Sequence, residues 1–196
     1  MKIMLDPGHA GRTVDPGAVH AKSGLQEADV VLVVARLVKK YLVAVGHEVQ
    51  MTRSTWEDVK TDELSYRTSV SNEWGADVFV SLHCNSAENK EAKGFEVWTS
   101  PGNTQGDRLA SYIYEEIHKE FSDRRGRTDY SDGDADKESR FYVLVYTDAP
   151  ACLIEMAFIS NADEAALLGN LTWQERYAKA IARGITDYAA ALSKGL

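Results

Sequence analysis

Short apolar runs alternate with stretches of helical period along nearly all of this 196-residue chain, and that alternation most restricts the folds open to it. Lys2–Asp6, His47–Arg53, Asp77–Leu82, Gly94–Ser100, Phe141–Thr147 and Ala151–Ala157 each read as a strand. Between them Val30, Val31, Val34, Leu37, Val38, Tyr41 and Leu42 recur at helical intervals up to Gly46, and Ser23 and Gln26 stand at capping-box spacing ahead of them. Leu64, Arg67 and Val70 mark a second helix over Asp62–Trp74, Leu109, Ile113 and Ile117 a third over Thr104–Phe121, and Tyr177, Ile181, Ile185 and Tyr188 a last one over Thr172–Leu192. Strands that alternate with helices predict an α/β fold: a single twisted, mostly parallel sheet of about six strands with helices on both faces. The length suits one domain able to bury a core without disulfides, so residues 1–196 are expected to form a single domain.

The formal net charge of -8 argues against a nucleic-acid partner, which would need clustered Lys and Arg to displace counterions. No stretch approaches the roughly 20 apolar residues of a membrane span. A soluble monomer is the expectation. The chain opens directly into its first strand, and no basic, apolar leader of the signal-peptide kind is visible. Cys84 and Cys152 make no C-x-x-C pair, and strand parity turns them away from His83 and Glu155, so both read as small buried hydrophobes.

The chemistry gathers at strand ends. His9 follows the first apolar run across Pro7-Gly8, His83 closes the run at Leu82, and Glu155 closes Ala151-Cys152-Leu153-Ile154. Distant strand ends converge along one edge of a parallel sheet, where ligands bind. With Glu27 added, the set is two imidazoles and two carboxylates. Two His and one carboxylate around Zn²⁺, with an open position for water and a second carboxylate as base, is a layout for metal-assisted hydrolysis. From the residues alone either carboxylate fits either role, and Glu27 fits equally as an acid at the positive end of a helix dipole. Glu155 ends a run so apolar that a carboxylate buried there needs a partner. Asp132-Gly133-Asp134-Ala135-Asp136 resembles a Ca²⁺ loop, but Lys137 stands where an EF-hand needs Gly and Val143 where it needs Glu. The polar stretch Ser122–Ser139, with Arg124, Arg125 and Arg127, is expected to form a lip over the site.

Leu5-Asp6-Pro7-Gly8-His9-Ala10-Gly11, Asp15-Pro16-Gly17-Ala18-Val19, Glu27, Thr52-Arg53, Arg67, Ser81-Leu82-His83-Cys84-Asn85, Gly94-Phe95-Glu96-Val97 and Leu153–Asn161 follow one another in an order that resembles the zinc-dependent N-acetylmuramoyl-L-alanine amidases of autolysins and phage endolysins. The resemblance runs nearly end to end. It implies that His9, Glu27 and His83 hold Zn²⁺ and that Glu155 is catalytic. The substrate it implies is peptidoglycan, cut at the amide between the muramoyl lactyl group and L-alanine of the stem peptide. It also suggests substrate contacts from Arg125 or Arg127. Without a leader, such an enzyme resembles an endolysin held in the cytoplasm until the membrane is opened, or a lysin released with its mother cell. The chain departs from the family pattern at Pro16, where many relatives have Ser, and at Val145-Tyr146, where an Arg is common. The rival readings are a zinc peptidase acting on the stem peptide and a wall-binding domain that has lost catalysis, the latter disfavoured by the presence of all four site residues.

Overall fold

A computed structural model describes residues 1–195. In chain order the elements are β1 (Lys2–Pro7), α1 (Glu27–Ala44), β2 (Glu48–Met51), a 3₁₀ turn (Val59–Asp62), α2 (Leu64–Trp74), β3 (Val78–Asn85), β4 (Glu96–Thr99), α3 (Gln105–Glu120), β5 (Lys137–Glu138), α4 (Tyr142–Val145), β6 (Ala151–Phe158), α5 (Ala162–Leu168) and α6 (Leu171–Ser193). The six strands form one sheet in the order β2-β1-β3-β6-β4-β5. Its pairings are parallel except between β4 and β6, which run antiparallel. The mixed sheet thus departs from an all-parallel one at a single boundary.

Alternate residues of the central strands serve two unequal cores. Ile3 and Leu5, Val78, Val80, Leu82 and Cys84, and Cys152, Ile154 and Met156 pack beneath α1, α3 and α6 in the larger one. On the other face Met4, Phe79, Ala151 and Leu153 meet Val143 and Leu144 of α4, with Val70 and Trp74 of α2 alongside. Both faces are covered, as expected, but the second only by two short helices. Further along that thinner face the same parity presents Asp6, Ser81, His83 and Glu155. Cys84 and Cys152 lie in the larger core, on the side that parity predicts. Among the described residues no helix is long and apolar enough to cross a membrane.

Three local expectations differ from the structure. Phe141–Thr147 forms no strand: it carries the one-turn helix α4, in which the adjacent residues Val143 and Leu144 are both buried, as a period of two does not allow. The sixth strand is instead Lys137–Glu138, drawn against Trp98 and Thr99 from within the polar stretch. The first helix opens at Glu27 without a capping box, because the loop carbonyls of Ala18 and Pro16 accept from the amides of Glu27 and Ala28 at 2.9 and 3.1 Å. Ser23 turns aside to His20. The reciprocal cap occurs at α3, between Thr104 and Asp107.

Candidate metal centre and catalytic cleft

The C-terminal edge of the sheet brings His9, Glu27 and His83 together. His9 Nε2 and His83 Nδ1 each stand 3.0 Å from the same oxygen, Oε1 of Glu27. One ligand atom from each residue lies within 4.8 Å of the others. Glycines make this approach possible. A Cβ on Gly8 would fall 2.3–2.7 Å from the His83 ring, and one on Gly17 would collide with both the His9 ring and Glu27.

His9 adopts φ 66°, the left-handed region that a residue with a side chain enters only when its surroundings enforce it. Two buried arginines do so. Arg53 donates to the carbonyls of Pro7 (3.1 Å), Gly8 (2.8 Å) and Ala28 (2.8 Å), joining the His9 loop to the first turn of α1. Arg67 donates to the carbonyls of Pro7 and His9 at 2.9 and 2.6 Å and pairs with Asp6 at 2.6 Å. Asp6 also accepts from the hydroxyls of Thr52 and Ser81. Burial alone would raise its pKa; Arg67 and the two hydroxyls outweigh burial and hold it below the usual carboxylate range. Asp6 therefore serves the backbone brace.

Asp15 completes the His9 environment, its Oδ2 lying 2.9 Å from Nδ1, which leaves Nε2 turned toward Glu27. Glu27 Oε2 accepts from the Ala18 amide at 3.0 Å and Oε1 from the Cys84 amide at 2.9 Å. Burial disfavours the ionised form of Glu27, yet His83 and His9 hold it charged, far below its ordinary pKa. For His9, burial works against the charged form, while Glu27 and Asp15 raise its pKa above the ordinary value.

Two imidazoles and one carboxylate brought together in this way match the donor set of a catalytic divalent-metal site. Ligand atoms around a tetrahedral zinc stand about 3.4 Å apart at bonds of about 2.1 Å, and the two spacings to Glu27 are 3.0 Å within a set no wider than 4.8 Å. The residues fit a bound metal ion.

Glu155 lies beside this cluster, paired in register with His83 on one side and Glu96 on the other. Its Oε2 is buried without a hydrogen-bond partner. Burial first, then the charges of Glu27 and Glu96, push its pKa up to about 7 against the lowering influence of His83 and His9. Glu96 is held by Arg127 Nε (2.6 Å), Lys137 Nζ (3.2 Å), Asn85 Nδ2 (2.9 Å) and Trp98 Nε1 (3.1 Å). Arg127, half-buried, is therefore paired with Glu96, and Arg125 is exposed; neither lines the cleft. That cleft, about 300 Å³, has His9, Asp15, His83 and Glu155 in its lining, with a rim from Thr61–Arg67 and Phe141–Val143. No residue of 122–139 lines it, so the expected lip is supplied by other segments.

Sequence reasoning gave no role to Asp15, Glu96, Arg53 or Arg67. The visible signal for Glu96 is its place between Phe95 and Val97, where strand parity turns it to the same face as Glu155. The arginines carry no such signal, since their partners are backbone carbonyls and, for Arg67, the sequence-distant Asp6.

The germination-specific N-acetylmuramoyl-L-alanine amidase of Bacillus subtilis is 31% identical over 95% of this chain and 78% of its own length. The endolysin of Bacillus phage SPP1 is 35% identical over 94% of this chain and 65% of its own. The solved structure of the amidase AmiC2 of Nostoc punctiforme superposes with a TM-score of 0.85 at 30% identity, covering 97% of each chain. The sequence profile described as N-acetylmuramoyl-L-alanine amidase matches residues 3–187, a span that runs from β1 into α6 and includes every residue of the cleft; the chain belongs to that family.

Proposed function

We propose that residues 1–196 form a single catalytic domain, acting as a monomer, that hydrolyses the amide between the muramoyl lactyl group and L-alanine of peptidoglycan, with Zn²⁺ held by His9, Glu27 and His83. The observation that carries this reading is the convergence of those three donors beside Glu155, a half-buried residue whose buried Oε2 has no partner. Bound there, zinc supplies Lewis acidity toward the carbonyl and lowers the pKa of a water to about 7. Glu155 accepts a proton from the attacking water and passes it to the departing nitrogen of L-alanine. Burial raises the pKa of this carboxyl in the metal-free protein and the bound ion opposes that rise, so it is placed to take and return that proton. Asp15 holds the His9 ring by its Nδ1, while Arg53 and Arg67 hold the backbone that carries it. Gly8 and Gly17 leave room for the two rings to face Glu27.

Digestion of purified peptidoglycan with mass analysis of the products tests this. Free stem peptides beginning at L-alanine, together with glycan strands whose lactyl groups are bare, are the expected products. Peptides shortened only at their carboxyl ends would instead establish the stem-peptide peptidase, and an undigested wall that retains the protein would establish a binding domain.

A further inference from the structure

The cleft has an aromatic side that the hydrolytic chemistry leaves unused. Phe141 and Tyr142 line it and remain 37% and 36% exposed, joined by Leu64 at 49%. Exposed apolar groups that cluster at a cleft mark a binding surface more often than chance.

These rings are fixed in place. Phe141 meets Trp98 edge to face at 5.4 Å, and the Trp98 indole donates to Glu96, the cross-strand neighbour of Glu155. Tyr142 packs on Tyr146 with centroids 4.4 Å apart. Beneath them Val143 and Leu144 anchor α4 in the smaller core, and Asn72 clamps its end by donating to the Tyr146 carbonyl and accepting from the Asp148 amide. A ring already immobilised loses little entropy when a ligand stacks on it.

The scissile amide joins two chemically different halves. On one side is a pyranose, whose C–H groups form an apolar, electropositive face suited to the negative face of an aromatic ring. On the other is a peptide bearing carboxylates. The structure also offers two different hollows. A second one, about 390 Å³, includes Ser86, three residues past His83, and is lined by charges of both signs, Lys22, Lys90 and Lys93 beside Glu91 and Asp163, with no Phe, Tyr or Trp. It suits a charged chain and not a sugar face.

We propose that Phe141 and Tyr142 form the surface on which the muramoyl sugar stacks, and so set the enzyme's preference for a glycan-linked amide over the same amide without its sugar. The proposal rests on the amidase reading above.

The test compares two substrates of the zinc-loaded enzyme: N-acetylmuramoyl-L-alanyl-D-isoglutamine, and the same dipeptide carrying only a D-lactyl group. The ratio of their kcat/KM values should fall about tenfold in Tyr142→Ala, mainly through KM for the sugar-bearing compound, and should recover in Tyr142→Phe. An unchanged ratio, or equal losses on both compounds, would overturn the assignment. Calorimetric binding of free N-acetylmuramic acid to Glu155→Gln supplies a readout independent of turnover. That binding should weaken by a similar factor when Tyr142→Ala is added, and equal binding would refute the stacking surface. If the parent hydrolyses neither compound, the amidase reading fails while the sugar titration still decides whether the rings bind a sugar.

Discussion

Replacing Arg53 with Met removes a guanidinium that is 1% exposed and keeps most of the side chain's bulk. The carbonyls of Pro7, Gly8 and Ala28 each lose a bond, Pro7 keeping the one from Arg67, and Thr55 loses a weaker bond at 3.2 Å. An unsatisfied buried polar group costs about 1–3 kcal/mol, which sets an upper range of about 2–6 kcal/mol for Gly8 and Ala28, the two left without an arginine donor. A partial offset exists, because Arg53 is itself strained electrostatically: burial and the neighbouring Arg67 lower its pKa to about 10. Deleting that charge relieves both, and we expect a net destabilisation of about 3 kcal/mol, or roughly 6–12 °C in Tm for a chain of this size. The same bonds connect the His9 loop to the helix that begins at Glu27, so zinc affinity should also fall, by about 10–100-fold. Urea unfolding gives the first number and competition with a chromophoric chelator the second. Arg53→Lys should fall between parent and Met, since an ammonium cannot span carbonyls on two segments. Parental zinc affinity in a destabilised Arg53→Met would refute the claim that this arginine positions the ligands.

Asp15→Ala frees His9 Nδ1, and chelator competition should show zinc held about 10–100-fold more weakly with the fold intact by circular dichroism. Glu155→Gln preserves shape but not basicity, and peptidoglycan hydrolysis followed by release of L-alanine N-termini should slow by about 10²–10⁴. Asp136 is buried, its pKa raised to about 8 by burial and by the adjacent Asp134 carboxyl against the opposing Thr99 hydroxyl. The folded state thus keeps a proton that the unfolded chain releases near pH 4, so stability falls as pH rises from about 4 to 8 and then levels off. Urea titrations should find that loss, at most about 1.4 kcal/mol per pH unit, in the parent and a flatter profile in Asp136→Asn.

The main features of the site could be read in the sequence because its four acid and imidazole groups each stand at the end of an apolar run or the start of a periodic helix, where local pattern and edge geometry coincide. The same patterning gave the helices α1, α2, α3 and α6 and the strands β1 to β4 and β6, apart from their exact limits. It failed where tertiary contacts decide. Phe141–Tyr146 is apolar throughout, so its period is hidden, and burial of Val143 beside Leu144 selects a helical turn. Lys137–Glu138 becomes a strand only because β4 offers a free edge and Glu96 a partner for the Lys137 ammonium. Asp15, Arg53, Arg67 and Glu96 act through distant carbonyls and side chains, and no sequence period encodes such pairings.

The division of labour between the two carboxylates is most directly tested by the zinc content of Glu155→Gln and Glu27→Gln, purified side by side and dialysed against the same weak chelator. Glu27 Oε1 meets both imidazoles at 3.0 Å, whereas Glu155 Oε2 meets no partner at all, so the account predicts about one zinc per chain in Glu155→Gln and a large loss from Glu27→Gln. Zinc retained by Glu27→Gln and lost from Glu155→Gln would contradict it.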